Sequence, residues 1–245
     1  YRYGERTVVA AAASGYVVEP LYRGHGLRLA SSFLEQENIG LVLNTSANLA
    51  SSTIFQRFGA LPVPQRDYDK ILFWVIRPRS FIEATLRRMG RGPGLAWVGG
   101  NLFAAPLHGD ITLRRRAPGK VVSGTGGVDD LRHFDVDEVG DDFDGLWRRK
   151  VAEGPRLLCF RTAEVLRWHF GGPESKQKVK VLGCYTAGQL AGYTVVARDD
   201  NMGIGLARSR IVDMFVEKDD PRTVDRLLRA AFEYSKKSGS HVLEM

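Results

Sequence analysis

The run Arg23-Gly24-His25-Gly26 sets a guanidinium beside two glycines, a pattern suited to holding a phosphate-bearing ligand. Glycine lets a ligand approach the backbone closely, and arginine adds a planar cation that pairs with phosphate oxygens. The flanks show which elements must position the run. Val17 and Val18 are β-branched strand formers, and Pro20, which has no amide hydrogen to give a sheet, ends the ladder just after Glu19. Leu27, Leu29, Ala30, Phe33 and Leu34 then follow helical spacing. A strand, a tight turn and a helix follow from this pattern, so the turn lies at a helix N-terminus. There, unpaired amide hydrogens and the positive end of the dipole favour an anion such as a diphosphate. By itself the run fits a glycine-rich strand-to-helix connection without a ligand equally well.

The wider order Val18-x-Pro20-x-Tyr22-Arg23-Gly24-x-Gly26-Leu27 resembles the acetyl-coenzyme A signature of the GNAT acyltransferase superfamily. That signature reads Arg or Gln, two residues, Gly, one residue, Gly or Ala. Arg23 takes its first place, Gly26 its fourth, and Arg28 its sixth, where the family prefers a small residue. A second run resembles the helix that follows the family's fifth strand: Asn48, Ser51, Ile54, Phe55 and Gly59 come after an apolar strand over 40–44. Read without the family, the same run is an amphipathic helix with Ile54, Phe55 and Phe58 in the core and Gly59 as its terminator.

The resemblance implies an α/β (α+β) fold, a mixed twisted sheet with flanking helices of the acyl-CoA N-acyltransferase type. It also implies acetyl-CoA, or another acyl-CoA, as co-substrate. Val17 and Val18 would give backbone amides to pantetheine and the thioester carbonyl. The segment Arg23, Gly24, His25, Gly26, Leu27 and Arg28 would hold the diphosphate, and Asn48 would help hold the coenzyme. In the family an amine attacks the thioester directly, which requires a neutral amine, donors for the oxyanion and a proton for the leaving thiolate. Glu19, at the mouth of the signature strand, is the nearest carboxylate that could take the amine's proton, and equally reads as a solvated strand end. Phe55 stands where the family has a proton-donating Tyr, so water, Tyr22 or Tyr68 would have to protonate the thiolate, unless its acidity makes that step undemanding.

The chain has 245 residues, 44% of them hydrophobic and 26% charged, as in ordinary globular proteins. Its formal charge is +7, and residues 1–120 hold 16 of the 35 Lys and Arg but only 8 of the 28 Asp and Glu. Such a field attracts a cofactor with several phosphates, and equally nucleic acid or an anionic membrane surface. The basic runs Arg87-Arg88 and Arg114-Arg115-Arg116 are not interleaved with aromatic residues, which argues against a single-strand nucleic-acid platform. No apolar run is long enough to span a membrane and the first residues carry no signal-peptide pattern, so the cytoplasm is the default compartment. Cys159 and Cys184 read as buried thiols, and the five histidines, His25, His108, His133, His169 and His241, show no metal-ligand spacing; no metal is expected.

In order, the chain starts with a turn around Gly4 and an extended run over 7–10. The family sets three strands and two helices ahead of its signature, so the sequence reads as lacking the first strands of the first module. Residues 70–76 form a continuous apolar run expected to be a central or well-covered strand, and 80–89 a helix capped by Ser80 with Glu83 in a capping box. The first module is set at 1–89, a Gly/Pro-rich linker or crossover at 90–128, and a second module at 129–245. In the second, helices are expected at 143–151 and 163–170, a hairpin at 178–185 and 190–197, a strand at 211–216, a helix at 221–237 and a strand at 241–245. Hairpin, strand, helix, strand resembles the central run of a GNAT domain, which implies two tandem modules. The second has Glu217, Asp219 and Asp220 where a diphosphate would sit, so it reads as degenerate.

Two functions remain from this reading. One is an N-acetyltransferase acting on a small-molecule or carrier-linked amine, with an amino sugar or an aminoacylated carrier as examples of the acceptor. The other is a catalytically silent GNAT-like binding or assembly module. The sequence leaves the acceptor and the oligomeric state unassigned.

Overall fold

The computed structural model describes residues 1–13, 18–44, 49–62, 70–90, 94, 130–173 and 178–245. Most of the linker expected over 90–128 lies outside them. The chain forms two compact α/β units, Tyr1–Lys70 with Gly154–Phe160, and Ile71–Glu153 with Arg161–Met245.

In the first unit, β1 (Arg2–Tyr3) pairs antiparallel with β2 (Arg6–Thr7) through a turn in which Gly4 has φ +54°, and with β7 (Leu157–Leu158) on its other side. β3 (Ala10–Ala13) runs parallel to β4 (Leu41–Asn44). A parallel pair needs a crossover. Here the chain between them includes a 3-10 turn, Pro20–His25, and α1 (Gly26–Leu34). The described strand ahead of the glycine turn is Ala10–Ala13; Val18 lies in no strand, and Val17 falls outside the described residues. Alanine has little strand propensity, and the pairing with β4 is what makes this run a strand. α2 (Leu49–Arg57) ends before Gly59, whose φ of +84° is the left-handed conformation glycine adopts without strain. Phe55 is buried as expected, but Phe58, at the helix end, is 41% exposed.

The second unit is a six-stranded sheet in the order β5-β11-β10-β9-β8-β6. These strands are β5 (Phe73–Val75), β6 (Asp130–Phe134), β8 (Val179–Thr186), β9 (Gln189–Arg198), β10 (Arg208–Val216) and β11 (Val242–Glu244). All neighbours are antiparallel except β10 and β11, which α6 (Pro221–Lys237) connects. Two further helices, α4 (Asp141–Ala152) and α5 (Ala163–Phe170), stand between β6 and β8 in the chain. The expected hairpin, strand, helix and strand all occur, within a few residues of their expected ends.

The sheet buries apolar side chains on both faces. Leu182, Val196, Ile211 and Leu243 meet Ala231 and Leu228 of α6. On the other face, Phe143 of α4 lies 5.3 Å from Tyr193, and Trp147 stacks on Phe215 at 5.9 Å. α6 forms because Pro221 opens it, Val224, Leu227, Leu228 and Ala231 share one stripe, and Ser238 and Gly239 (φ +81°) end it.

Residues 71–88 were expected to close the first module, and they belong to the second unit instead. β5 pairs with β11, and the backbones of Leu72 and Met245 exchange both hydrogen bonds, 3.1 and 2.8 Å. Among the described residues β5 is thus an edge strand and not a central or well-covered one, and Ile71, Leu72 and Phe73 are exposed. α3 (Pro78–Arg88) opens on Pro78, with no side-chain cap, so the Ser80 capping box is not made; Arg79 instead pairs with Glu83 at 3.0 Å. Proline suits a first helical position, where its missing amide hydrogen has no partner to lose. Of the two cysteines, Cys184 is buried, while Cys159, just past β7, is exposed, contrary to expectation.

Leu227 is fully buried beside Cys184 and Val216. Leu227→Ala should therefore lower the unfolding free energy by about 2–5 kcal/mol in urea titration, and a loss below about 1 kcal/mol would contradict this packing.

Candidate functional site

The glycine turn is wound more tightly than the sequence suggests. Pro20–His25 is a 3-10 helix that runs directly into α1, with the Tyr22 amide donating to the Glu19 carbonyl (2.9 Å) and the Gly26 amide donating to the Arg23 carbonyl. Those two amides are engaged within the turn rather than bare. Gly26 is buried, with φ −57° and ψ −44°, ordinary helical values. Gly24 differs: a Cβ built there would meet nothing within 4 Å, so the backbone is open on that side. Glu19, Arg23, His25, Leu27 and Arg28 are all exposed, and the Tyr22 and His25 rings lie 6.4 Å apart. No side chain caps α1, and no acidic residue stands in its first turn. The turn thus brings Arg23, Gly24, His25, Gly26, Leu27 and Arg28 together at a positive helix start, with Glu19 ahead of them. Val17 and Asn48 lie outside the described residues.

The corresponding place in the second unit is already filled. A 3-10 turn, Glu217–Asp219, joins β10 to α6, with Lys218 and Asp219 at φ +56° and +50°. Left-handed backbone at such residues costs about 1–3 kcal/mol, so neighbouring contacts must hold it. Lys150 Nζ, almost fully buried, bonds Asp219 Oδ1 at 2.6 Å, Arg149 Nε bonds Glu217 Oε2 at 2.8 Å, and the Lys218 amide donates to Glu153. Asp220 caps α6 by accepting from the Thr223 amide (2.9 Å) and hydroxyl (2.7 Å). The carboxylates expected to repel a diphosphate are thus largely neutralised by α4. At this turn the helix's own carboxylate, Asp220, takes the Thr223 amide and hydroxyl.

One constellation escaped the sequence reading. A register shift between Ile211 and Asp213 bulges β10 and leaves Val212 exposed. Asp213 then meets Arg161, whose Nε and Nη2 lie 3.0 and 2.9 Å from its two carboxylate oxygens, and the Tyr193 hydroxyl donates to Oδ2 at 2.9 Å. The Arg161 guanidinium lies 5.2 Å from the Phe215 ring centre. Burial first, then the Asp213 charge, raises the Tyr193 pKa far above its usual value, so the phenol stays a donor at all ordinary pH. Both oxygens of Asp213 are occupied, so the cluster pins the bulge rather than offering a free base. Arg161 and Asp213 are 52 residues apart, and no local pattern links them.

His241 Nδ1 accepts the Ala207 amide at 3.2 Å, and burial lowers its pKa, which keeps it neutral. Among the described residues no group of His, Cys, Asp and Glu could hold a metal ion, and no helix is long and apolar enough to cross a membrane.

No protein-family model matches the sequence, and no curated protein matches it either. Several solved structures are similar to it. Ribosomal-protein-alanine N-acetyltransferase from Brucella melitensis biovar Abortus 2308 is 13% identical, with a TM-score of 0.34 over 45% of this chain and 73% of that one. A predicted acetyltransferase from Clostridium acetobutylicum, solved with acetyl-CoA, is 13% identical, with a TM-score of 0.37 over 47% and 79%. L-PGS from Bacillus licheniformis is 12% identical, with a TM-score of 0.35 over 91% of this chain and 60% of that one.

The Asp220 cap has a pH signature. Hydrogen bonds from the Thr223 hydroxyl first, and then its amide, hold the Asp220 pKa below the usual carboxylate value. The cap's contribution is therefore complete above the unfolded carboxyl pKa of about 3.9 and is lost as pH falls through the lower folded value. Asp220→Ala should cost about 1 kcal/mol of stability near neutrality, with the difference from the parent shrinking in acid. A difference that does not change with pH would contradict the assignment.

Proposed function

We propose that the chain is an acyl-CoA dependent N-acyltransferase that transfers an acetyl group to an amine, small or carrier-linked, in a single direct attack. The observation that carries this reading is the order β3, glycine turn, α1, parallel β4, with Arg23 and the open backbone of Gly24 at an uncapped helix start. The co-substrate supplies the activated thioester, and the residues of the turn suit it through charge and open space. Arg23 and Arg28 are exposed cations for the diphosphate, and the missing side chain at Gly24 leaves room for it. The second unit, with its helix start filled by Asp220, has no equivalent place and serves a packing or acceptor-shaping role.

The amine must lose a proton around the attack, and the exposed Glu19 beside the turn is the carboxylate that takes it, directly or through water. Protonation of the departing thiolate cannot come from Phe55, which is buried and has no proton to give. Water or Tyr22, exposed next to Arg23, fills that role. A second reading, a silent binding or assembly module, draws on the same Phe55 and on the amides already engaged within the turn. The two separate when acetyl-CoA binding is measured by titration and thiol release is then followed with candidate amines. Release with at least one amine supports transfer, whereas binding without release on any amine selects the silent module.

Gly24→Val fills open space without touching a neighbour. It should leave the circular dichroism unchanged and weaken coenzyme binding by about tenfold or more, a change of about 1.4 kcal/mol. Unaltered affinity in the folded variant would remove the turn from the site. Glu19→Gln should lower turnover more than coenzyme affinity and flatten the acidic limb of the rate profile, and an identical profile would leave deprotonation to water.

A further inference from the structure

Within the second unit, α3, the loop 201–206 and β5, an edge strand among the described residues, enclose a cavity of about 660 Å³. A volume in the range of about 300–1,000 Å³ is usual for small-molecule sites. Its apolar wall is built rather than incidental. Phe73 and Phe81 stack at 5.9 Å, and Ile204 and Leu206 face the same space. The loop is held in shape by two backbone bonds between Asn201 and Leu206, 2.9 and 3.0 Å. It is also seated against α3, with a Cβ built on Gly205 lying 2.7 Å from Arg87 Nη1, and the left-handed φ of +68° at Gly205 favours glycine there.

The polar groups on this cavity do not balance. Arg208 is fully engaged, donating to the Asp199 carbonyl (3.0 Å) and Oδ2 (2.6 Å) and to Glu244 Oε2 (3.3 Å), so the Arg208 and Glu244 charges are met locally. Thr85 donates its hydroxyl to the Phe81 carbonyl at 2.9 Å. Arg88 and the Asn201 carboxamide, by contrast, make no side-chain hydrogen bond or ion pair to any described residue. A stacked aromatic wall beside one unmatched guanidinium and one unmatched amide is complementary to an amphipathic anion. The Glu244 carboxylate on the same cavity disfavours a doubly charged phosphate, and a planar single charge matches a guanidinium fork.

We propose that this cavity binds a small aromatic or branched-aliphatic carboxylate, its apolar body against Phe73 and Phe81 and its carboxylate on Arg88 and Asn201. The site is separate from the glycine turn and does not rest on the acyltransfer reading. The test uses the full chain and titrates 3-phenylpropanoate, its uncharged amide, and inorganic phosphate, by calorimetry and ligand-observed NMR. The acid should saturate one site per chain, and the amide should bind about tenfold more weakly or worse, as expected for loss of a charged hydrogen bond. Arg88→Gln should bring the acid down to the level of the amide. Thr85→Trp, at an exposed helix position that faces the cavity, should abolish both while leaving the circular dichroism unchanged. Arg23→Ala should leave the binding intact. No saturable binding up to millimolar acid, equal binding of acid and amide, preference for phosphate, or an unaltered Arg88→Gln protein would each overturn the proposal.

Discussion

Each unit is built on a parallel strand pair, and parallel strands need a crossover, which here brings a helix start up to the end of a strand. Every helix start leaves amide hydrogens without intrahelical partners and carries a partial positive charge. The two units meet that demand differently. The second answers it internally: Asp220 accepts from Thr223, and Arg149 and Lys150 hold the acidic turn closed. The first winds a 3-10 turn, adds no side-chain cap, and places Arg23, Arg28 and an open glycine around the helix start. Two similar chain paths thus end in opposite electrostatic states.

The closed turn of the second unit also has a structural purpose. Lys150 is almost fully buried and pairs with both Asp219 (2.6 Å) and Glu153 (3.1 Å), so its ion pairs hold together α4, the end of β10 and the start of α6. Asp213 does the same at the bulge, where Arg161 and Tyr193 fix its two oxygens. Both polar clusters lie on the face of the sheet that carries α4 and the aromatic stack of Trp147 and Phe215. That face is rigidified by charge and rings together, and the opposite face, under α6, by aliphatic packing.

Much of this was legible in the sequence wherever one element satisfies its own needs. α6 and α5 have the expected bounds, because caps and apolar spacing are local, and the β8–β9 hairpin follows from its turn residues. What the sequence hid depends on partners far along the chain. Ala10–Ala13 is a strand only because β4 pairs with it, and residues 73–75 read as a central or well-covered strand although β11 is their one neighbour among the described residues. A continuous apolar run cannot report which of its faces will be covered. The glycine turn was placed correctly at a helix start, but its 3-10 winding and its engaged amides were not visible, because they depend on backbone angles that Arg and Gly both permit. The Arg161–Asp213–Tyr193 cluster has no sequence signature at all.

The account stands on the claim that the two helix starts differ, one open to a diphosphate and one closed by its own carboxylate. Native mass spectrometry of the chain with excess acetyl-CoA counts bound coenzyme directly. One coenzyme per chain, its occupancy reduced in Gly24→Val and unchanged in Asp220→Ala, is the predicted result. Two per chain, or one that persists in Gly24→Val and disappears in Asp220→Ala, would contradict it.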